Sequence, residues 1–127
     1  MAHCEDGLKK IWAAILAYRD EHAGKGPAEL EVFLESRVLT VWDLVCPTSS
    51  DTVGQCSYVY RGCDLEKGMP GKMILAYDKE PLHKGRRNIL FVDGRVERPK
   101  EKTFLQAIEK DNEYRSEYGL PTKSVEL

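Results

Sequence analysis

The chain has 127 residues, enough for one domain with a real hydrophobic core. Its 19 Lys and Arg face 21 Asp and Glu, and a formal net charge of -2 gives no electrostatic reason to expect a nucleic acid as partner. No apolar run approaches the roughly 20 residues of a membrane-spanning helix, and the first residues do not read as a signal peptide.

The stretch from Cys4 to His22, CEDGLKKIWAAILAYRDEH, puts Leu8, Ile11, Trp12, Ile15 and Leu16 at i, i+3, i+4, i+7 and i+8. That spacing predicts a helix with one broad apolar side. Ala13, Ala14 and Ala17 add helix propensity, and no proline intervenes before Pro27. Asp6 is the expected N-cap, and the glycines at 24 and 26 with Pro27 mark the stop. So apolar a side must be covered, and the rest of the chain is expected to fold back over it. An ordinary core helix of an unrelated α+β domain would show the same periodicity. The entry into a helix almost at Met1 suggests that an upstream segment has been removed, although a short natural N-terminus would look alike.

Pro27 is expected to open a shorter helix, with Leu30, Phe33 and Leu34 on one face and Glu29, Glu31 and Glu35 on the other. Val38, Leu39, Val41, Trp42, Leu44 and Val45 form a dense apolar stretch before Cys46 and Pro47, extended or loosely helical but buried in either form. Residues 48–55, TSSDTVGQ, read as an exposed polar turn. Tyr58, Val59 and Tyr60 favour a short strand. After a glycine- and proline-bearing loop at 66–71, Met73 to Tyr77 reads as a central strand covered on both faces.

Residues 81–87 are basic and mobile in character, with His83, Lys84, Arg86 and Arg87 around Gly85. Asn88 to Val92, then Asp93-Gly94, then Arg95 to Arg98 predict a hairpin closed by a type I′ turn. Past Pro99, a last helix is expected from Lys102 or Thr103, with Phe104, Leu105 and Ile108 at helical spacing and a charged remainder through Glu117. Residues 1–121 are read as one domain and 122–127 as a flexible tail.

The residues offer little chemistry. There is no phosphate-binding glycine loop, no paired-histidine zinc motif and no calcium loop, so no catalytic residue, cofactor or metal is expected. His83, Asp93 and a cysteine have no motif that would make them a thiol site. Trp12 and Trp42 invite a stacked ligand, but their apolar surroundings favour burial. Lys84, Arg86 and Arg87 are the candidate contact residues for an acidic partner. Cys4, Cys46, Cys56 and Cys63 are even in number and contain no C-x-x-C pair. Of the three pairings that four cysteines allow, the one favoured joins Cys56 to Cys63, close enough in sequence to clasp a small loop, and then Cys4 to Cys46, tying the helix start to a distant segment; four reduced thiols are the alternative.

The hairpin segment HKGRRNILFVDGRVE resembles the H-x-G-x-x-N-x-L-F-x-D-G-H-V signature of pseudopilins and other prepilin-type proteins of Planctomycetes and related bacteria. The match runs through His83, Gly85, Asn88, Phe91, Asp93 and Gly94, while Arg95 stands where that family has a second histidine. Cys4 to Tyr18 is similar to the family's C-x-x-N-L-K-Q-I-G-x-A-L-x-x-Y, with Gly7 in place of the asparagine. Cys46-Pro47 and Ser57-Tyr58 resemble two further elements, in the right order.

The resemblance implies an α+β, pilin-like domain: a long N-terminal helix packed on a small, mainly antiparallel sheet, followed by a C-terminal helix. It also implies a non-catalytic subunit of a pseudopilus or type IV pilus-like secretion machine, truncated of its hydrophobic N-terminal segment. Its partners would be other pilin-like subunits, met through the N-terminal helix, and secretion-machine proteins. The missing segment would be its one link to the membrane, and its place would be extracytoplasmic, where disulfides are reasonable. The alternative is an extracytoplasmic module that binds a protein or glycan through loops 48–55 and 81–87.

Overall fold

The structure is a computed structural model that describes residues 2–22, 27, 29–44, 58–61, 73–80 and 85–117, with the backbone alone described at 2–6, 41 and 42. Helix α1 (Ala2–Glu21) is followed by the single turn α2 (Val32–Glu35) and a 3₁₀ turn at Val41–Leu44. Strands β1 (Tyr58–Tyr60), β2 (Ile74–Asp78), β3 (Ile89–Phe91) and β4 (Val96–Glu97) come next, and α3 (Glu101–Glu117) follows them. The four strands form one antiparallel sheet in sequential order. The fold class is therefore α+β.

A bulge sorts the sheet's side chains between two helices. Ile74 faces Phe91 across the ladder, but the next pair is Ala76 with Leu90, so β2 carries one extra residue. Two consecutive side chains, Leu75 and Ala76, consequently lie on the same face. They join Leu8, Ile11, Ala14 and Ile15 of α1, together with Leu30, Phe33, Leu39, Leu44, Tyr58 and Leu90, in one buried cluster. The opposite face sends Ile74, Tyr77, Ile89 and Phe91 against Phe104 and Ile108 of α3. The sheet is thus covered by α1 on one side and α3 on the other, which is why every residue of β2 and β3 is buried.

Several local expectations change. Helix α1 has 20 residues, or about 30 Å, which is within the ordinary range for a globular domain. It begins at Ala2, so Asp6 lies inside the helix and is not its N-cap. Leu8, Ile11 and Ile15 are fully buried, whereas Trp12 and Leu16 are only half-buried at the margin of the face. Pro27 does not open α2; it precedes that turn and its carbonyl accepts the Tyr60 hydroxyl at 2.8 Å. The faces of the segment are as expected, with Leu30 and Phe33 buried and Glu29, Glu31 and Glu35 exposed.

The apolar stretch from Val38 is not buried throughout. Arg37 takes a left-handed backbone at φ 62 and turns the chain, leaving Val38 55% exposed while Leu39 and Leu44 go into the core. The turn that follows is set by Thr40 and Asp43. The Asp43 carboxylate accepts the Thr40 amide at 2.9 Å and the Thr40 hydroxyl at 3.2 Å, which is one half of a capping box. Those bonds hold the Asp43 carboxyl below the usual carboxylate range, the Thr40 amide foremost, with Lys10 adding to the effect from 3.2 Å.

Candidate functional site

The hairpin that carries most of the signature closes differently from the expected type I′ turn. The Gly94 amide donates to the Phe91 carbonyl at 2.9 Å, so Val92 and Asp93 are the central residues of the turn. Gly94 follows at φ 90, and Asp93 has no positive φ. This is a three-residue loop with glycine in the left-handed bulge position. The Phe91 amide still donates to the Arg95 carbonyl at 2.9 Å, but the Arg95 amide faces away from the ladder and donates instead to Asp93 Oδ1 at 3.0 Å. Asp93 and Gly94 are both required, for different reasons: one caps a stray amide and the other takes a backbone that a side chain would resist.

The loop is seated on α1. The Trp12 indole N–H donates to the Val92 carbonyl at 3.4 Å, bridging 80 residues of sequence. A β-carbon placed on Gly94 would lie 2.6 Å from two atoms of the Trp12 ring. Trp12 is therefore neither a free stacking surface nor a fully buried core residue. Gly7 gives a second close approach along the same helix, since a β-carbon there would lie 2.6 Å from the Tyr58 hydroxyl oxygen. The space an asparagine would need at position 7 is filled by β1.

Asn88 holds the far end of the hairpin. Its amide donates to Asp78 Oδ2 at 2.7 Å, its carbonyl accepts the Asp78 amide at 3.0 Å, and its side-chain oxygen accepts Arg98 Nε at 2.8 Å. Asp78 is 1% exposed, and burial pushes its carboxyl up to about 6 against the opposing pull of the Asn88 amide, Arg98 and Arg87.

Arg87 does not present itself to a partner as the sequence suggested: it is 4% exposed. Its aliphatic stem and guanidinium turn inward, with Nη1 on the Lys79 carbonyl at 3.1 Å, Nε 3.2 Å from Glu101 and Cζ 4.7 Å from the centre of the Phe104 ring. Arg86 is half-buried, with Nη1 3.4 Å from the Arg98 carbonyl. Gly85 is exposed at φ 78. Arg95 pairs with Glu97 at 2.8 Å and lies 4.5 Å over the Phe91 ring. His83, Lys84, Cys46, Cys56 and Cys63 lie outside the described residues, as does the side chain of Cys4.

One constellation was missed in the sequence. Asp111, fully buried in α3, accepts Arg61 Nε at 2.6 Å and Arg115 Nε at 2.8 Å on one oxygen, and the Ile74 amide at 2.8 Å on the other. Arg115 returns to the sheet through Nη2 on the Ile74 carbonyl at 2.6 Å, and Arg61 also donates to Asn112 Oδ1. These charges caught α3 where its apolar stripe runs out. Phe104, Ile108, Asp111 and Arg115 are spaced 4, 3 and 4 apart, so two residues of the expected charged remainder continue the buried stripe. That spacing was the available signal. Nearby, burial raises the Tyr77 hydroxyl above its ordinary value, with Arg61 and Arg87 opposing.

Among the described residues, no group of three or more His, Cys, Asp or Glu side chains is placed to hold a metal ion. The signature residues that are described serve as a turn, a helix seat and a strand-end fastening. No helix of the described residues is long and apolar enough to cross a membrane. No family model, curated protein or solved structure matches the chain.

Proposed function

We propose that the chain is the globular part of a pilin-like assembly subunit, working without catalysis in a pseudopilus or type IV pilus-like secretion machine. The observation that carries this reading is the contact between Trp12 and Gly94. The two stretches that bear most of the sequence resemblance, the leading helix and the Asp93-Gly94 hairpin, meet there. A filament subunit hangs its globular part from its leading helix, and a helix bolted to the far edge of the sheet would move with it as one body. In this reading the subunit meets other pilin-like subunits through α1 and its upstream continuation, and its globular part lies outside the inner membrane.

The test is fractionation of the cells that make the protein, with detection by antibody and mass spectrometry of the native N-terminus. The reading expects a processed, N-methylated start upstream of Met1 and recovery with the inner membrane or with sheared surface filaments. A protein recovered only as a cytosolic species starting at Met1 overturns it.

A further inference from the structure

The end of the sheet where β2 meets β3 is fastened by buried ionisable groups in place of ordinary ladder bonds. In a regular antiparallel pair the Asn88 amide would donate to the Asp78 carbonyl. Here it donates to the Asp78 side chain, and only the reverse bond, Asp78 amide to Asn88 carbonyl, belongs to the backbone. Asn88 then passes the connection to Arg98 beyond β4. Beside it, Arg87 ties the Lys79 carbonyl to Glu101 in the first turn of α3. The Asp78 carboxyl, shut away from water, thus accepts the Asn88 amide directly and lies within the field of Arg98 and Arg87. A buried carboxylate is penalised for its charge unless its partners compensate fully.

We propose that Asp78 makes this end of the sheet a proton-controlled fastening, closed when the carboxyl carries its proton and opening to water more often when it is ionised. Among the described residues, the charged groups acting on it are Arg98 from the segment after β4 and Arg87 from the approach to β3. Glu101 of α3 pairs with Arg87 and offsets part of that guanidinium's charge. Burial outweighs both arginines and pushes the carboxyl up to about 6 from the ordinary 3.8 to which exposure to water would return it. The sign follows from proton counting. The closed form binds the proton more tightly, so opening becomes easier as pH rises from about 4 towards 6 and beyond, then levels off. Release of the Asp78 carboxyl would also loosen Asn88, whose side-chain oxygen accepts Arg98 at the exit of β4.

The measurement is amide hydrogen exchange, corrected for its intrinsic pH dependence, at Asn88 and Ile89 of the folded chain. Between pH 5 and pH 7, protection at these amides should fall by about tenfold. In Asp78→Asn, which keeps an acceptor oxygen but cannot ionise, the fall should vanish, while His83→Asn should retain it. An equal fall in Asp78→Asn, or none in the unaltered chain, overturns the proposal. A carbon-detected titration of the unaltered protein decides the matter even if the variant fails to fold. A carboxyl midpoint for Asp78 well above 4 supports the fastening, and one at or below 4 overturns it.

Discussion

The ring of Trp12 occupies the space that a β-carbon on Gly94 would need, with two ring atoms 2.6 Å from that position. Helix α1 and the β3–β4 loop are fitted to each other at a glycine that also requires φ 90.

Gly94→Ala should therefore pay twice, once for a left-handed backbone and once for pushing the indole aside. Together these should cost about 2–4 kcal/mol. Urea unfolding should show a lower midpoint with an unchanged slope. In Trp12→Leu the second part should shrink, so the double variant should lose less than the sum of the single ones. Strict additivity would mean that the two residues do not press on each other.

Asp111→Ala would strip the shared acceptor from Arg61, Arg115 and the Ile74 amide, all at a site with no exposure. Breaking a buried ion pair by removing one partner costs about 3–5 kcal/mol, a large share of a small domain's stability. Circular dichroism on heating should show a strongly lowered transition. Replacing Lys110, which is exposed and pairs only loosely with Glu113 at 3.7 Å, should change the transition little.

Phe104→Ala should cost about 3–5 kcal/mol, because a fully buried ring that fills the layer between α3 and the sheet leaves a cavity behind. The loss should appear as easier unfolding in denaturant. A loss below about 1 kcal/mol would mean that α3 packs on the sheet only loosely.

Asp43 gives a pH dependence opposite in sign to that of Asp78. Its carboxyl is held below 3.8 by the Thr40 amide and Lys10, so its contribution is present at neutral pH and is lost as pH falls below the carboxylate range. Asp43→Ala should cost about 1 kcal/mol at pH 7. At pH 2 the variant and the unaltered chain should differ less, which stability curves at the two pH values would show.

If the chain works outside the cytoplasm, as proposed, Cys4, Cys46, Cys56 and Cys63 should form two bridges. Protein made in an oxidising compartment, denatured without reductant, should then show no free thiol. Non-reducing peptide mass spectrometry should join Cys56 to Cys63 and Cys4 to Cys46. Four free thiols would remove this support for the extracytoplasmic reading.

Elements with a local signal can be read from the residues alone. Leu8, Ile11 and Ile15 repeat at helical spacing, and β-branched and aromatic residues mark Tyr58–Tyr60, Ile74–Asp78 and Ile89–Phe91, so helix and strands were legible from periodicity and propensity. Asp93-Gly94 announced a hairpin. It did not announce the loop type, because the same pair serves a two-residue I′ turn and a three-residue loop with a glycine bulge, and only the strand register distinguishes them.

Whatever depends on contacts far apart in the chain comes only with the assembled fold. Arg87 reads as a surface residue in a basic run, yet Lys79, Glu101 and Phe104 draw it inside. Asp111 reads as part of a solvated helix face until Arg61, 50 residues earlier, and the Ile74 amide reach it. The bulge that turns Leu75 and Ala76 to the same side leaves no trace in the hydrophobic pattern, because β2 is apolar on both faces. A charge can enter a core only where specific partners meet it, and those partners are assembled by the fold rather than by neighbouring residues.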